Sequence, residues 1–286
     1  FNKRSPPGYS HQCDQYLGRH SRPAVGLFRL DNWRGVPKAT ELFKGKLPTG
    51  AIAHPDLSYD AKRIAFAFCD QAPKNRNERR FFIYEATVDG KTVRQLTGTR
   101  RDPLEGADGL RTVLIEDFDP VYLPDGDIVF VSTRSQNFGR CHGTRYTPSY
   151  LMYRCDKNGD KIRQISFGEA NEWDPCVLFD GRIVYTRWDY INRNDTFYQG
   201  LWHTRPDGTG VGHYFGSYTR NPCMSAESRP IPGTNKIVST SMGHHSYTAG
   251  SLVIIDTDKG EDGSEPITRI TPETQFPESE MKWPIG

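Results

Sequence analysis

The stretch DPVYLPDGDIVFVSTR, residues 119–134, reads as a short strand, a turn at Asp125-Gly126 and a second strand, IVFVS. Asp-Gly supplies the positive φ that a tight hairpin needs, and the β-branched and aromatic run suits a pleated surface. The phrase recurs as HPDLSYDAKRIAFAF at 54–68, DPCVLFDGRIVYTRWD at 174–189 and SRPIPGTNKIVSTS at 228–241. Aligning Pro55, Pro120, Pro175 and Pro230 gives spacings of 65 (120 − 55), 55 (175 − 120) and 55 (230 − 175). A second hairpin follows each phrase: FFIYEATVDGKTVRQLT, SYLMYRCDKNGDKIRQIS, QGLWHTRPDGTGVGHYF and GSLVIIDTDKGEDGSEPITRIT. Four strands per unit, at a period above the about 40–45 residues of WD40 repeats, predict β-propeller blades with loops of variable length.

The expected blades lie near 51–100, 116–167, 171–216 and 224–272. GLFRLDNWRGVPKATELF, within a segment 26–50, reads as the second half of a blade, and FPESEMKWPIG at 276–286 as the opening of another. Residues 1–25 stand as an N-terminal extension before a propeller spanning 26–286. Composition agrees with an all-β reading: 12% aromatic residues exclude a disordered chain, and 27 Gly with 20 Pro argue against a helical one. Lys+Arg 37 against Asp+Glu 35 gives a net charge of +2, without the basic excess that nucleic acid or an acidic membrane attracts. No apolar run approaches the roughly 18 residues of a membrane span.

Longer phrases carry a resemblance. The units are similar to TolB-like propellers, and EDFDPVYLPDGDIVFVSTR (116–134), NEWDPCVLFDGRIVYTRWDYINR (171–193), QGLWHTRPDGTG (199–210) and RPIPGTNKIVSTSMGHHSYTAGSLVIID (229–256) resemble the middle domain of the hydrazine synthase alpha-subunit family. The resemblance covers about 26–286 and implies a six-bladed ring. Half a blade, four blades and an opening stub do not close such a ring, so the chain is expected to continue past Gly286. In that family the alpha subunit carries c-type haems and the reaction joins nitric oxide with ammonium. This sequence has no CxxCH motif, so any haem is expected in a region or chain outside these residues.

Several residues are candidates for chemistry, each beside a structural role. Phe138-Gly-Arg-Cys141-His142 offers one thioether and an axial His, while Cys141 and Cys155 are alternatively a disulfide across a hairpin. The six Cys show no CxxC spacing, and their even number permits disulfides in an exported protein, so the expected location is periplasmic or extracellular. His244 and His245, with His54, His142 or His203, supply imidazoles for a transition-metal site, or serve as hydrogen-bonded residues at blade edges. Asp119 and Asp174, with Glu116, Asp117 and Glu172, either ring the channel or accept backbone hydrogen bonds where the inner strand begins. Asp156, Asn158 and Asp160 resemble the start of a calcium loop, or simply make an Asn-Gly turn. Arg134, Arg187, Trp188, Arg193, Trp202 and Arg205 are candidates for anion or sugar contact, or inter-blade struts.

No GxSxG, Walker or HExxH motif is present. The leading expectation is a rigid platform that docks other protein chains or a further domain of the same protein. The alternatives are a metal-dependent lyase or hydrolase acting on an anionic saccharide, and a structural surface or filament component.

Overall fold

The computed structural model describes residues 2–4, 12–102, 113–139, 146–169, 171–190, 199–244 and 249–276. Four sheets have four antiparallel strands each, taken in sequence from the axis outward. They comprise β4 (Gly50–Leu57) to β7 (Val93–Gln95) with β5 (Arg63–Asp70) and β6 (Phe81–Thr87) between them; β8 (Asp117–Tyr122), β9 (Ile128–Ser132), β10 (Leu151–Cys155) and β11 (Arg163–Gln164); β12 (Asn171–Val177), β13 (Ile183–Trp188), β14 (Leu201–Thr204) and β15 (Gly212–Phe215); and β16 (Met224–Pro230), β17 (Lys236–Met242), β18 (Ser251–Asp256) and β19 (Ile267–Arg269). A fifth sheet has three strands, β1 (Asn2–Arg4), β2 (Ala24–Asp31) and β3 (Lys38–Glu41). The half blade therefore gains a strand from the segment that had read as an extension.

The inner strands β4, β8, β12 and β16 pack side by side in that order, giving an all-β propeller-like arrangement with four complete blades. Both faces of a blade are covered by its neighbours, which explains why IVFVS is apolar without alternation: every residue of β9 is buried. Each such Val, Ile or Phe stabilises the fold by about 1.5–3 kcal/mol relative to exposure. Trp173, Trp188, Tyr122, Tyr150 and Tyr185 are the largest fully buried side chains. Among the described residues no helix is long and apolar enough to cross a membrane.

The second hairpin of a blade sets the spacing to its neighbour. Gly159 and Gly208 sit at positive φ in the turns after β10 and β14, and a Cβ on either would collide with the carbonyl of Leu96 or Ile165 in the preceding blade. Gly126, in the turn between β8 and β9, has a similar φ of +88° but open space around it. Asp156, in the turn that reads as a calcium loop, accepts the N–H groups of Asn158 (2.9 Å) and Asp160 (3.0 Å), which is the bonding of a tight turn.

The two kinds of glycine separate on substitution. Gly126→Ala meets only the left-handed backbone cost of about 1–2 kcal/mol. Gly159→Ala and Gly208→Ala add a backbone collision and are expected to lower the urea midpoint clearly more than Gly126→Ala does.

Candidate functional site

Each inner strand breaks its ladder at one bulge. The paired residues jump from Ala53 to Asp56, Phe118 to Val121, Trp173 to Cys176 and Ala226 to Arg229, so two residues face one on the next strand. The first residue of each bulge is His54, Asp119, Asp174 or Glu227, with φ of 49°, 49°, 53° and 51°. His and Asp tolerate this region better than most side chains. The second is Pro55, Pro120 or Pro175, which brings no N–H to leave unpaired, and Ser228 in the last blade. The structural equivalent of Pro175 is thus Ser228, two residues before Pro230, and the last spacing is 53 (228 − 175) rather than 55.

The bulges knit the blades together. The Asp174 N–H donates to Asp119 Oδ2 at 3.1 Å, and the Glu227 N–H donates to Asp174 Oδ2 at 3.1 Å. His54 Nδ1 lies 2.6 Å from Asp119 Oδ1. Farther along, the Tyr122 N–H donates to Asp56 Oδ2 at 2.9 Å.

The start of the inner strands is corked by the N-terminal segment. A short helix α1 (Gln12–Gln15) and a 3₁₀ turn (Gly18–His20) carry Tyr16 and Leu17 into the axis, where they are 4% and 0% exposed. The Tyr16 ring stacks on His54 (centroids 5.2 Å) and Phe118 (5.5 Å) and tilts against Trp173 (6.1 Å). Its hydroxyl donates to Asp174 Oδ1 at 3.1 Å. Glu116 Oε2 accepts the N–H groups of Gly18 (2.7 Å) and Phe81 (3.1 Å), fixing the segment to two blades. The Tyr150 hydroxyl reaches the Cys13 carbonyl. Beyond Tyr16, toward the β4–β5, β8–β9, β12–β13 and β16–β17 turns, lies a cavity of about 360 Å³ lined by the four bulges and Arg229.

Burial dominates the electrostatics. It raises the Asp174 carboxyl well above its ordinary range, and the nearby Asp119 and Glu227 carboxylates add to the shift. Burial also lifts Glu116 to about 7, outweighing its bonds from Gly18 and Phe81, and lifts Glu172 to about 7. For Arg134, burial works against the charge, but Asp117 and Asp102 outweigh it and the guanidinium is held charged.

Among the described residues, those nominated from the sequence stand in separate surroundings. Arg134 is clamped at 2.6 Å from both Asp102 and Asp117, bridging the segment after β7 to the start of β8. Arg187 pairs with Asp189 at 2.9 Å and covers the Trp202 ring at 4.6 Å. Trp188 is 1% exposed and meets His244 edge-on at 5.1 Å; His244 is itself buried beside the Gln199 side chain. Among the described residues, His54 is the one nominated imidazole that lines the axial cavity, and no group of His, Cys, Asp and Glu there is arranged to hold a metal. Cys155 is a buried free thiol on β10, while Cys141, His142, Arg193 and His245 lie outside the described residues. Sequence reading missed Tyr16-Leu17, whose one signal is an apolar pair in the polar run HQCDQYLGRHS.

Family models give no match to this sequence, and neither do curated proteins. Solved structures do match. Hydrazine synthase of Kuenenia stuttgartiensis is 14% identical with a TM-score of 0.61, over 95% of this chain and 40% of that one. A TolB of Agrobacterium tumefaciens is 15% identical with a TM-score of 0.57, over 92% of this chain and 79% of that one. The likeness is one of fold, a β-propeller, and this chain spans two fifths of the hydrazine synthase chain it matches.

The raised carboxyls give a signed pH dependence. A carboxyl titrating at about 7 when folded, against about 4.3 unfolded, adds stability below the lower value and loses it as pH rises through the upper. Each contributes a slope of up to about 1.4 kcal/mol per pH unit in that window. The melting temperature is expected to rise as pH falls from about 7.5 to 5, and Glu116→Gln with Glu172→Gln to flatten the profile; a wild-type profile with the opposite slope would contradict the assignment.

Proposed function

We propose that the chain is a rigid binding platform, the propeller part of an exported assembly of the hydrazine synthase alpha type, six-bladed when complete. The observation that carries this reading is the use of the axial polar groups: Asp119, Asp174 and Glu116 each take up a backbone N–H from another blade or from the cork. Groups committed in this way hold geometry. Arg134 and Arg187 are likewise committed to acidic partners. The metal-dependent enzyme reading draws on His244 and His54, which sit in different surroundings. Export rests on the resemblance, because Cys69, Cys155 and Cys176 are buried free thiols.

The platform docks other chains or a further domain, and haem, where the assembly has it, is carried outside these residues. Native mass measurement of the full-length protein from its source, with in-gel staining for covalent haem, tests this. The expected result is a stable complex with other chains or an added haem-bearing domain. A lone protein that turns over an anionic saccharide only with bound metal, and loses that activity in His244→Ala, would replace the platform with the enzyme.

A further inference from the structure

The corked end carries a charge asymmetry that the balanced composition conceals. Two segments distant in sequence meet there: the 3₁₀ turn Gly18–His20 with Ser21 and Arg22 after it, and the loop 71–80 between β5 and β6, which holds a second 3₁₀ turn, Arg76–Glu78. Gly18 permits the close approach, since a Cβ there would stand 2.6 Å from the Arg79 carbonyl oxygen. Residues 18–22 and 71–80 together hold Arg19, Arg22, Lys74, Arg76, Arg79 and Arg80 against Glu78, a net +5 (6 − 1). The whole chain is +2, so all the other residues sum to −3 (2 − 5).

Arg22, Lys74 and Arg76 are exposed, and Arg19, Arg79 and Arg80 are half-buried. Among the described residues none of the six has an ion-pair partner. Their contacts are to neutral groups: Arg19 donates to Asn77 Oδ1 at 2.5 Å and lies over the Tyr146 ring at 4.7 Å, and Arg79 donates to the Pro73 carbonyl at 3.1 Å. Two guanidiniums are thus fixed in place with donors to spare, and Arg19 Nε is buried without an acceptor. Guanidinium forks pair with carboxylates through two parallel bonds, and fixing them beforehand lowers the entropy lost on binding. The acids nearby are occupied. Glu116, 1% exposed beneath the corner, accepts the Gly18 and Phe81 N–H groups; Glu78 accepts from the Asn75 amide, and Asp70 from the Ala72 N–H. An extended polyanion, nucleic acid or an anionic membrane, would run on from this corner over a surface that is net negative. A short run of carboxylates would not.

We infer that this corner docks an acidic segment of a partner polypeptide, whose Asp and Glu side chains pair with the cations of the two 3₁₀ turns and the loop around them. The inference rests on the platform reading and specifies its docking face. Screening over about 8 Å at physiological salt keeps such recognition local to the corner.

The test is calorimetric titration of the full chain, at low and at physiological salt, with acetylated, amidated hexaglutamate and with hexaglutamine. Hexaglutamate is expected to saturate and to weaken as salt rises, and hexaglutamine not to bind. Lys74→Glu with Arg76→Glu, both at exposed sites, should weaken hexaglutamate at least about tenfold without moving the melting temperature. Lys157→Glu with Lys259→Glu makes the same change of net charge at exposed sites elsewhere and should weaken it less than about twofold. No saturable binding of hexaglutamate, equal binding of hexaglutamine, or the same effect from both double variants overturns the inference. Tighter binding of phosphatidylserine vesicles or of a thymidine oligonucleotide, lost in Lys74→Glu with Arg76→Glu, also overturns it and gives the corner to a membrane or to nucleic acid. A stable native complex alongside any such failure would leave the platform standing and move its docking face elsewhere.

Discussion

A bulge in an inner strand frees a backbone N–H from its ladder, and a buried donor without an acceptor costs about 1–3 kcal/mol. At Asp174 and Glu227 the acceptor comes from the neighbouring blade, as Asp119 Oδ2 and Asp174 Oδ2. One contact therefore satisfies a local backbone need and fixes the offset between two sheets. The Asp-Pro pair suits both demands, since Asp tolerates the left-handed backbone and carries an acceptor on a short stem, and Pro removes the second N–H that the bulge would strand. Packing of the blade faces supplies most of the stability, but packing of apolar surface is non-directional and would permit sliding. The bulge bonds do not.

The cork follows from the same constraint. Carboxylates turned toward the axis leave a polar shaft whose upper walls, Phe118, Tyr150 and Trp173, are aromatic. Tyr16 matches both properties, with a ring that stacks on the walls and a hydroxyl that reaches Asp174. Such ring pairs add about 0.5–1.5 kcal/mol each beyond area burial. Glu116, just before β8, then ties Gly18 of the cork and Phe81 of β6 together through a single oxygen, so the axial end behaves as one unit.

The repeat was legible because it is written in local chemistry: turn residues at fixed offsets and strands apolar on both faces. The fourth unit was misaligned by two residues because Pro230 drew the match, and a shift of two keeps every side chain on its own face, so the pattern gave no warning. The double role open to Asp119 and Asp174 was visible as repetition, but only the spatial neighbour, the next blade's N–H, shows what repetition serves. Arg134, Arg187 and Trp188 were nominated by type, and type does not report which partner is in reach. Asp102, the partner of Arg134, stands 32 positions away in sequence. Tyr16 was illegible for the same reason on a larger scale, since its acceptor Asp174 is 158 residues distant.

The stapling arrangement also has a chemical by-product. A carboxylate has two oxygens and the neighbouring bulge uses one, so each staple leaves an oxygen on the axis. Asp119 shows the division directly, with Oδ2 on the Asp174 N–H and Oδ1 beside His54. Tyr16 takes up the spare oxygen of Asp174 at the corked end. At the open end nothing of the kind intervenes among the described residues, and Glu227 keeps its carboxylate facing the cavity at a φ of 51° that favours Asp or Asn over Glu. An architectural requirement thus leaves carboxylate oxygens on the wall of a cavity that the fold has already shaped, beside His54 and Arg229.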